Sequence, residues 1–153
     1  MKLKFLLDVD CVNYKKISMF LGFPNCSWKC GRALCQNSAL AQEPSVDIGY
    51  EPLIQRYLNN PLSEAIVCGG LEPLDSWEEL KIFVSLFREK SSDPIVIYTG
   101  YNEEEIQPQL IYLKNFPNII VKFGRFEPDQ PSHLDEVLGV QLASPNQYAR
   151  QIS

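Results

Sequence analysis

The chain has 153 residues, 45% hydrophobic and 22% charged, which fits one globular domain spanning 1–153 with a sizeable core. A net charge of −5 and a pI near 4.9 leave no general basic surface for a phosphate backbone, so no nucleic-acid partner is expected. No apolar run approaches the ~18 residues of a membrane span, and Asp8 and Asp10 interrupt Phe5–Leu7 too early for a secretion signal, so a cytoplasmic protein without membrane contact is expected.

Taken in order, Lys2–Leu7 predicts an edge strand and Asp8–Lys16 a polar loop. Ile17–Phe23 is a buried-strand candidate that the turn residues Pro24 and Asn25 end. The next stretch, up to Asn37, holds Cys26, Cys30 and Cys35, and Gln36–Gly49 is polar. A helix follows, with Pro52 in its first turn and Leu53, Ile54, Tyr57 and Leu58 on its apolar side. Ala65–Cys68 predicts a short buried strand closed by Gly69 and Gly70. Ser76 and Glu79 have the spacing of a capping box for a helix that buries Trp77, Leu80, Val84 and Phe87.

Ile95–Tyr98 is β-branched and strand-like. Asn102 is placed to cap a helix carrying Ile106, Leu110 and Leu113, with a kink or restart at Pro108. Ile119–Phe123 predicts a strand, Gly124–Ser132 a loop, Val137–Ala143 a last strand and Ser144–Ser153 a polar tail. Strands alternating with helices predict an α/β fold with a mainly parallel sheet. The length is short for a closed eight-fold barrel, so a partial, open β/α barrel is the expected architecture. Ligands in such sheets bind beyond the carboxyl ends of the strands. The cysteine loop, Gly69–Pro73 and Thr99–Tyr101 each follow a predicted core strand, so all three are expected on one face.

Five cysteines, three of them crowded within ten residues, point to metal ligation more than to a disulfide framework. Three thiolates are one short of the usual four for structural zinc or a fully protein-ligated iron–sulfur cluster, which is how a metal site leaves a position open. His133, the only histidine, is a fourth-ligand candidate, but a lone loop histidine is more often solvated. Cys68 at a strand end reads as a small buried hydrophobe, and Cys11 as the same or a surface thiol. Gly69 and Gly70 allow close backbone approach to a ligand or simply a tight turn. Glu72 is either an acceptor for an amine or an exposed loop carboxylate. Asn146 and Gln147 are amides that either line a pocket or are solvated.

The three cysteines, then GGLEP (Gly69–Pro73), YTGY (Tyr98–Tyr101), GRFEP (Gly124–Pro128) and SPNQ (Ser144–Gln147), resemble in order and spacing the anaerobic ribonucleoside-triphosphate reductase activating proteins. These are small radical S-adenosylmethionine proteins, and the resemblance covers about Asp8 to Gln151. The chain departs from the family pattern by reading C-x3-C-x4-C where the family has C-x3-C-x2-C, and by having Gln36 where the family has histidine. The resemblance implies a [4Fe–4S] cluster on Cys26, Cys30 and Cys35, with S-adenosyl-L-methionine on its open iron. It further implies that Gly69, Gly70 and Glu72 cradle the methionine end, that Leu34 touches the adenine, and that Thr99, Tyr101 and Asn146 belong to the same cofactor pocket. The implied partners are the large subunit of the anaerobic ribonucleotide reductase, which carries the glycyl radical, and an electron donor such as flavodoxin or ferredoxin. Two alternatives stand beside this: a radical enzyme acting on a small molecule, and a non-enzymatic zinc or iron–sulfur module.

Overall fold

A computed structural model describes the whole chain, residues 1–153. Its ten strands are β1 (Lys2–Leu3), β2 (Phe5–Asp10), β3 (Ser18–Phe23), β4 (Val46–Asp47), β5 (Ile66–Gly70), β6 (Ile95–Tyr98), β7 (Ile119–Phe123), β8 (His133–Asp135), β9 (Val140–Leu142) and β10 (Tyr148–Gln151). The three α-helices are α1 (Tyr50–Leu58), α2 (Trp77–Arg88) and α3 (Gln107–Leu113). No helix is long and apolar enough to cross a membrane.

Six strands form one sheet in the order β10-β7-β6-β5-β3-β2. The expected partial β/α barrel with a mainly parallel sheet is not what forms. The sheet is mixed, and four of the seven strand pairs in the molecule are antiparallel: β1–β4, β2–β3, β7–β10 and β8–β9. Parallel pairing is confined to β3–β5, β5–β6 and β6–β7. The physical reason lies at the edges. The central strands are apolar on both faces and take crossover connections, whereas the chain turns back from β2 to pair β3 antiparallel with it, and the polar Tyr148–Gln151 returns along β7.

Side chains alternate down each central strand, and each face has its own core. Met19 and Leu21, Ile66 and Cys68, Ile95 and Ile97, and Ile119 and Val121 meet the three helices in a cluster of 23 buried residues. Phe20, Val67, Val96 and Ile120 face the other way, into a smaller cluster of nine with Tyr14, Leu138 and Leu142. This second face has no helix over it. Part of it is covered by the β8–β9 hairpin and the loop around Tyr14, and the rest borders a cavity.

Several local expectations change in detail. Asp8–Asp10 belongs to β2, not to a loop, and the ladder to β3 is irregular between Leu7 and Asp10. The Ser76–Glu79 capping box is not made: Ser76 Oγ accepts from Asn25 Nδ2, and the Glu79 carboxylate accepts from Lys2 N. The restart at Pro108 is real. A 3₁₀ turn at Glu103–Glu105, with an Asn102–Glu105 capping box, precedes α3, and Pro108 sits in the first turn of that helix where no intrahelical donor is needed. The predicted strand Val137–Ala143 shortens to β9, β8 forms between the expected loop and that strand, and β10 forms where a polar tail was expected.

Candidate functional site

At the carboxyl ends of β3, β5, β6 and β7 lies a cavity of about 340 Å³, within the range of small-molecule sites. Its walls include Cys26, Cys30 and Cys35 after β3, Gly69, Gly70 and Glu72 at and after β5, and Thr99 and Tyr101 after β6. The three stretches expected on one face therefore meet there. Leu34 and Asn146 are not part of the lining. Leu34 is exposed on the cysteine loop, and the Asn146 amide donates to the Arg125 carbonyl while its oxygen accepts from Ser144.

The cysteine loop has no regular secondary structure and is fastened mainly at its ends. Asn25 accepts from Glu72 N and donates its amide to Ser76 Oγ. Ser27 N donates to the Asp75 carboxylate, and the Tyr101 hydroxyl donates to the same carboxylate at 2.6 Å while lying 3.0 Å from Ser27 Oγ. Beyond Cys35, Asn37 donates to the Gly70 carbonyl. Between these fastenings the chain turns on itself at Trp28 (φ 58°) and Gly31 (φ 85°), with Gly31 N donating to Trp28 O and Leu34 N to Gly31 O. The residues that lengthen the second cysteine interval are thus taken up in a turn.

All three thiols are half-buried and free. Cys35 lies beside Cys30, and Cys26 Sγ accepts from Trp28 N at 3.3 Å. Burial pushes the Cys26 thiol up to about 11 and raises Cys30 as well, with Cys35 beside Cys30 adding to its shift. A cation must therefore displace protons from these sulfurs to bind. As they stand, no three Cys, His, Asp or Glu side chains are grouped closely enough to hold an ion. The donor chemistry nevertheless fits a thiophilic metal or an iron–sulfur cluster: three soft ligands on one short loop, all on the wall of one cavity, with a backbone donor to one sulfur.

The two glycines are required by packing. A Cβ on Gly69 would lie 2.6 Å from Cζ of Phe20, and one on Gly70 would lie 2.8 Å from the backbone of Gly22 and Phe23. Gly70 also has φ 89°, which disfavours any other residue.

Glu72 is buried, and its carboxylate is already engaged. Oε1 accepts from Leu74 N at 3.1 Å, and Oε2 accepts from Gly100 N at 2.8 Å. It clamps the loop after β5 to the loop after β6. Burial outweighs these bonds and raises its carboxyl to about 7. Thr99 Oγ1 accepts from Tyr101 N, which fixes the turn leading to the Tyr101 ring. That ring lies between Lys29, 4.6 Å from its centroid, and Arg125 at 6.0 Å, and both cations pair with Glu105.

Four residues contribute that sequence reasoning missed. Asp75 holds the cysteine loop, Phe5 and Phe20 stack at 5.3 Å on the cavity wall, and the buried Lys122 reaches the cavity from β7. Lys122 had a legible signal, a single cation inside an otherwise apolar strand. Cys68 is buried among apolar side chains as expected, Cys11 is exposed, and His133 lies on β8 outside the cavity lining, its Nδ1 buried without a partner. No protein-family model, no curated protein and no solved structure matches this chain.

Proposed function

We propose that the chain is a radical S-adenosylmethionine activase that installs a glycyl radical on an anaerobic ribonucleotide reductase. The observation that carries this reading is the meeting of Cys26, Cys30 and Cys35 with the ends of β5 and β6 on one cavity of cofactor size. Cys26, Cys30 and Cys35 would hold a [4Fe–4S] cluster, and the cavity walls at Gly69, Gly70, Thr99 and Tyr101 would enclose S-adenosyl-L-methionine. When bound, this pair would supply one-electron reductive cleavage of the sulfonium, with the electron from the reduced cluster, and hydrogen-atom abstraction from a glycine of the reductase.

The chain's own residues bind, position and exclude water. Asp75, Ser27 and Tyr101 set the entry of the cysteine loop, and Asn37 ties its exit to Gly70. Glu72 keeps the β5 and β6 loops at fixed separation, and Phe5 and Phe20 give the cavity a dry aromatic wall. The reductase large subunit, a flavodoxin or ferredoxin as electron donor, and a cytoplasmic setting are parts of the same proposal.

The test is anaerobic reconstitution with iron and sulfide, followed by metal and acid-labile sulfide analysis. About four iron and four sulfide per chain are expected. Zinc bound without sulfide would replace this reading with that of a metal-binding module.

A further inference from the structure

Lys122 is the least explained charge in the molecule. It lies on β7 with 6% exposure, flanked by Val121 and Phe123 and on the same face of the strand as Ile120. Its ammonium donates to the Gly124 carbonyl at 2.9 Å and sits 6.0 Å from the centroid of the Tyr98 ring. That carbonyl also accepts from Gln147 Nε2 at 3.3 Å, so lysine is not needed to satisfy it. Glu72 is near enough to favour the charged lysine but forms no ion pair with it, and its own oxygens are held by Leu74 N and Gly100 N.

An ammonium has three donors, and burying one with a single acceptor and no ion-pair partner in contact is costly unless something else pairs with it. The desolvation is evident in its acidity, since burial brings Lys122 down to about 8. An aliphatic residue would pack against Ile120 and Tyr98 without that cost.

The side chain borders two cavities. One is the cavity of the cysteine loop, and the other is a smaller one of about 190 Å³ beside the β8–β9 hairpin. The smaller cavity is walled by Val12, Val140 and Leu142, with the amides of Gln36 and Gln141 at hand and the Tyr98 ring between the two spaces. The lining is half apolar and half polar: beside the aliphatic wall stand four amides, Asn13, Gln36, Gln141 and Gln147, and a single cation, Lys122. We propose that the smaller cavity is a carboxylate-binding subsite, in which Lys122 pairs with the acid group of a small aliphatic carboxylic acid whose carbon chain lies against Val12, Val140 and Leu142.

A single ammonium balances a monoanion. Arginine forks, which suit the multiply charged phosphate, are missing from this lining. The subsite does not depend on a metal or on adenosylmethionine, so it stands or falls separately from the proposed activase function.

The test is a titration of the isotope-labelled chain with sodium propionate, free of iron and adenosylmethionine and at constant ionic strength set with chloride, read by amide NMR. Saturable shifts with a Kd on the order of 10 mM or tighter are expected, centred on Tyr98, Lys122, Gly124 and Gln141–Ala143. Lys122→Met is expected to weaken propionate binding about tenfold or more while leaving a folded spectrum. Inorganic phosphate is expected to bind more weakly than propionate. Shifts that stay linear with concentration, or that centre elsewhere, overturn the proposal in the wild-type chain alone, whether or not Lys122→Met folds. Equal binding by a folded Lys122→Met chain, or tighter binding of phosphate, overturns it as well.

Discussion

Cys35→Ala is expected to lower both iron retention and adenosylmethionine cleavage by on the order of 10²-fold or more, since even an outer-shell change at a metal site costs up to that much. Cys26→Ala and Cys30→Ala belong to the same expectation, but Cys35 is the more informative residue. It stands after the lengthened interval, and it lines the cavity wall beside Cys30. The control is Cys11→Ala, an exposed thiol outside the lining, which should leave both measurements unchanged. A Cys35→Ala chain that still takes up iron and sulfide like wild type would show that the third ligand lies elsewhere.

The second large effect is at Glu72. Removing its carboxylate in Glu72→Ala leaves the buried Leu74 N and the Gly100 N without their acceptors. At about 1–3 kcal/mol for each of the two orphaned groups, a loss of roughly 2–6 kcal/mol is expected in urea denaturation. The raised acidity constant also gives the wild-type chain a signature in pH. Below pH 4.5 the carboxyl is protonated both folded and unfolded. Between 4.5 and about 7 the unfolded chain gives up the proton while the folded chain keeps it, so stability falls as pH rises through this window and then levels off. The contribution of this one group is about 3 kcal/mol across the window. Glu72→Gln, which cannot titrate, should flatten that part of the stability profile. A profile unchanged by Glu72→Gln would mean that the carboxyl is ionised throughout the window in the folded chain.

Both expectations rest on how the central sheet positions its loops, and that much was legible in the residues. Ile119–Phe123 forms a strand with the bounds expected of it, because a turn closes each end and nearly every residue between is apolar. The same holds for Ile95–Tyr98. The convergence of the cysteine loop, Gly69–Glu72 and Thr99–Tyr101 followed from placing three parallel strands side by side.

The edges were not legible. Tyr148–Gln151 buries only Ala149, so no periodic pattern marks it, and only the open edge of β7 makes it a strand. That single return, with the pairing of β2 to β3, turns an expected parallel sheet into a mixed one. Capping failed for a related reason. Ser76 has the sequence spacing of a cap, but Asn25, distant in the chain, takes its hydroxyl to hold the cysteine loop. Glu72 looked like a free loop acceptor because nothing local reveals that Gly100 N arrives from the next strand's loop. Tertiary partners decided each of these cases.

The central claim is that the three-cysteine loop and the cavity behind it form one cofactor site for radical chemistry. The most direct measurement is the formation of 5′-deoxyadenosine by the anaerobically reconstituted and chemically reduced chain given S-adenosyl-L-methionine, with and without a candidate reductase. The expected result is 5′-deoxyadenosine in step with cluster content, and a glycyl radical on the reductase when it is present. A reduced chain with a full complement of iron and sulfide that makes no 5′-deoxyadenosine under either condition would contradict it.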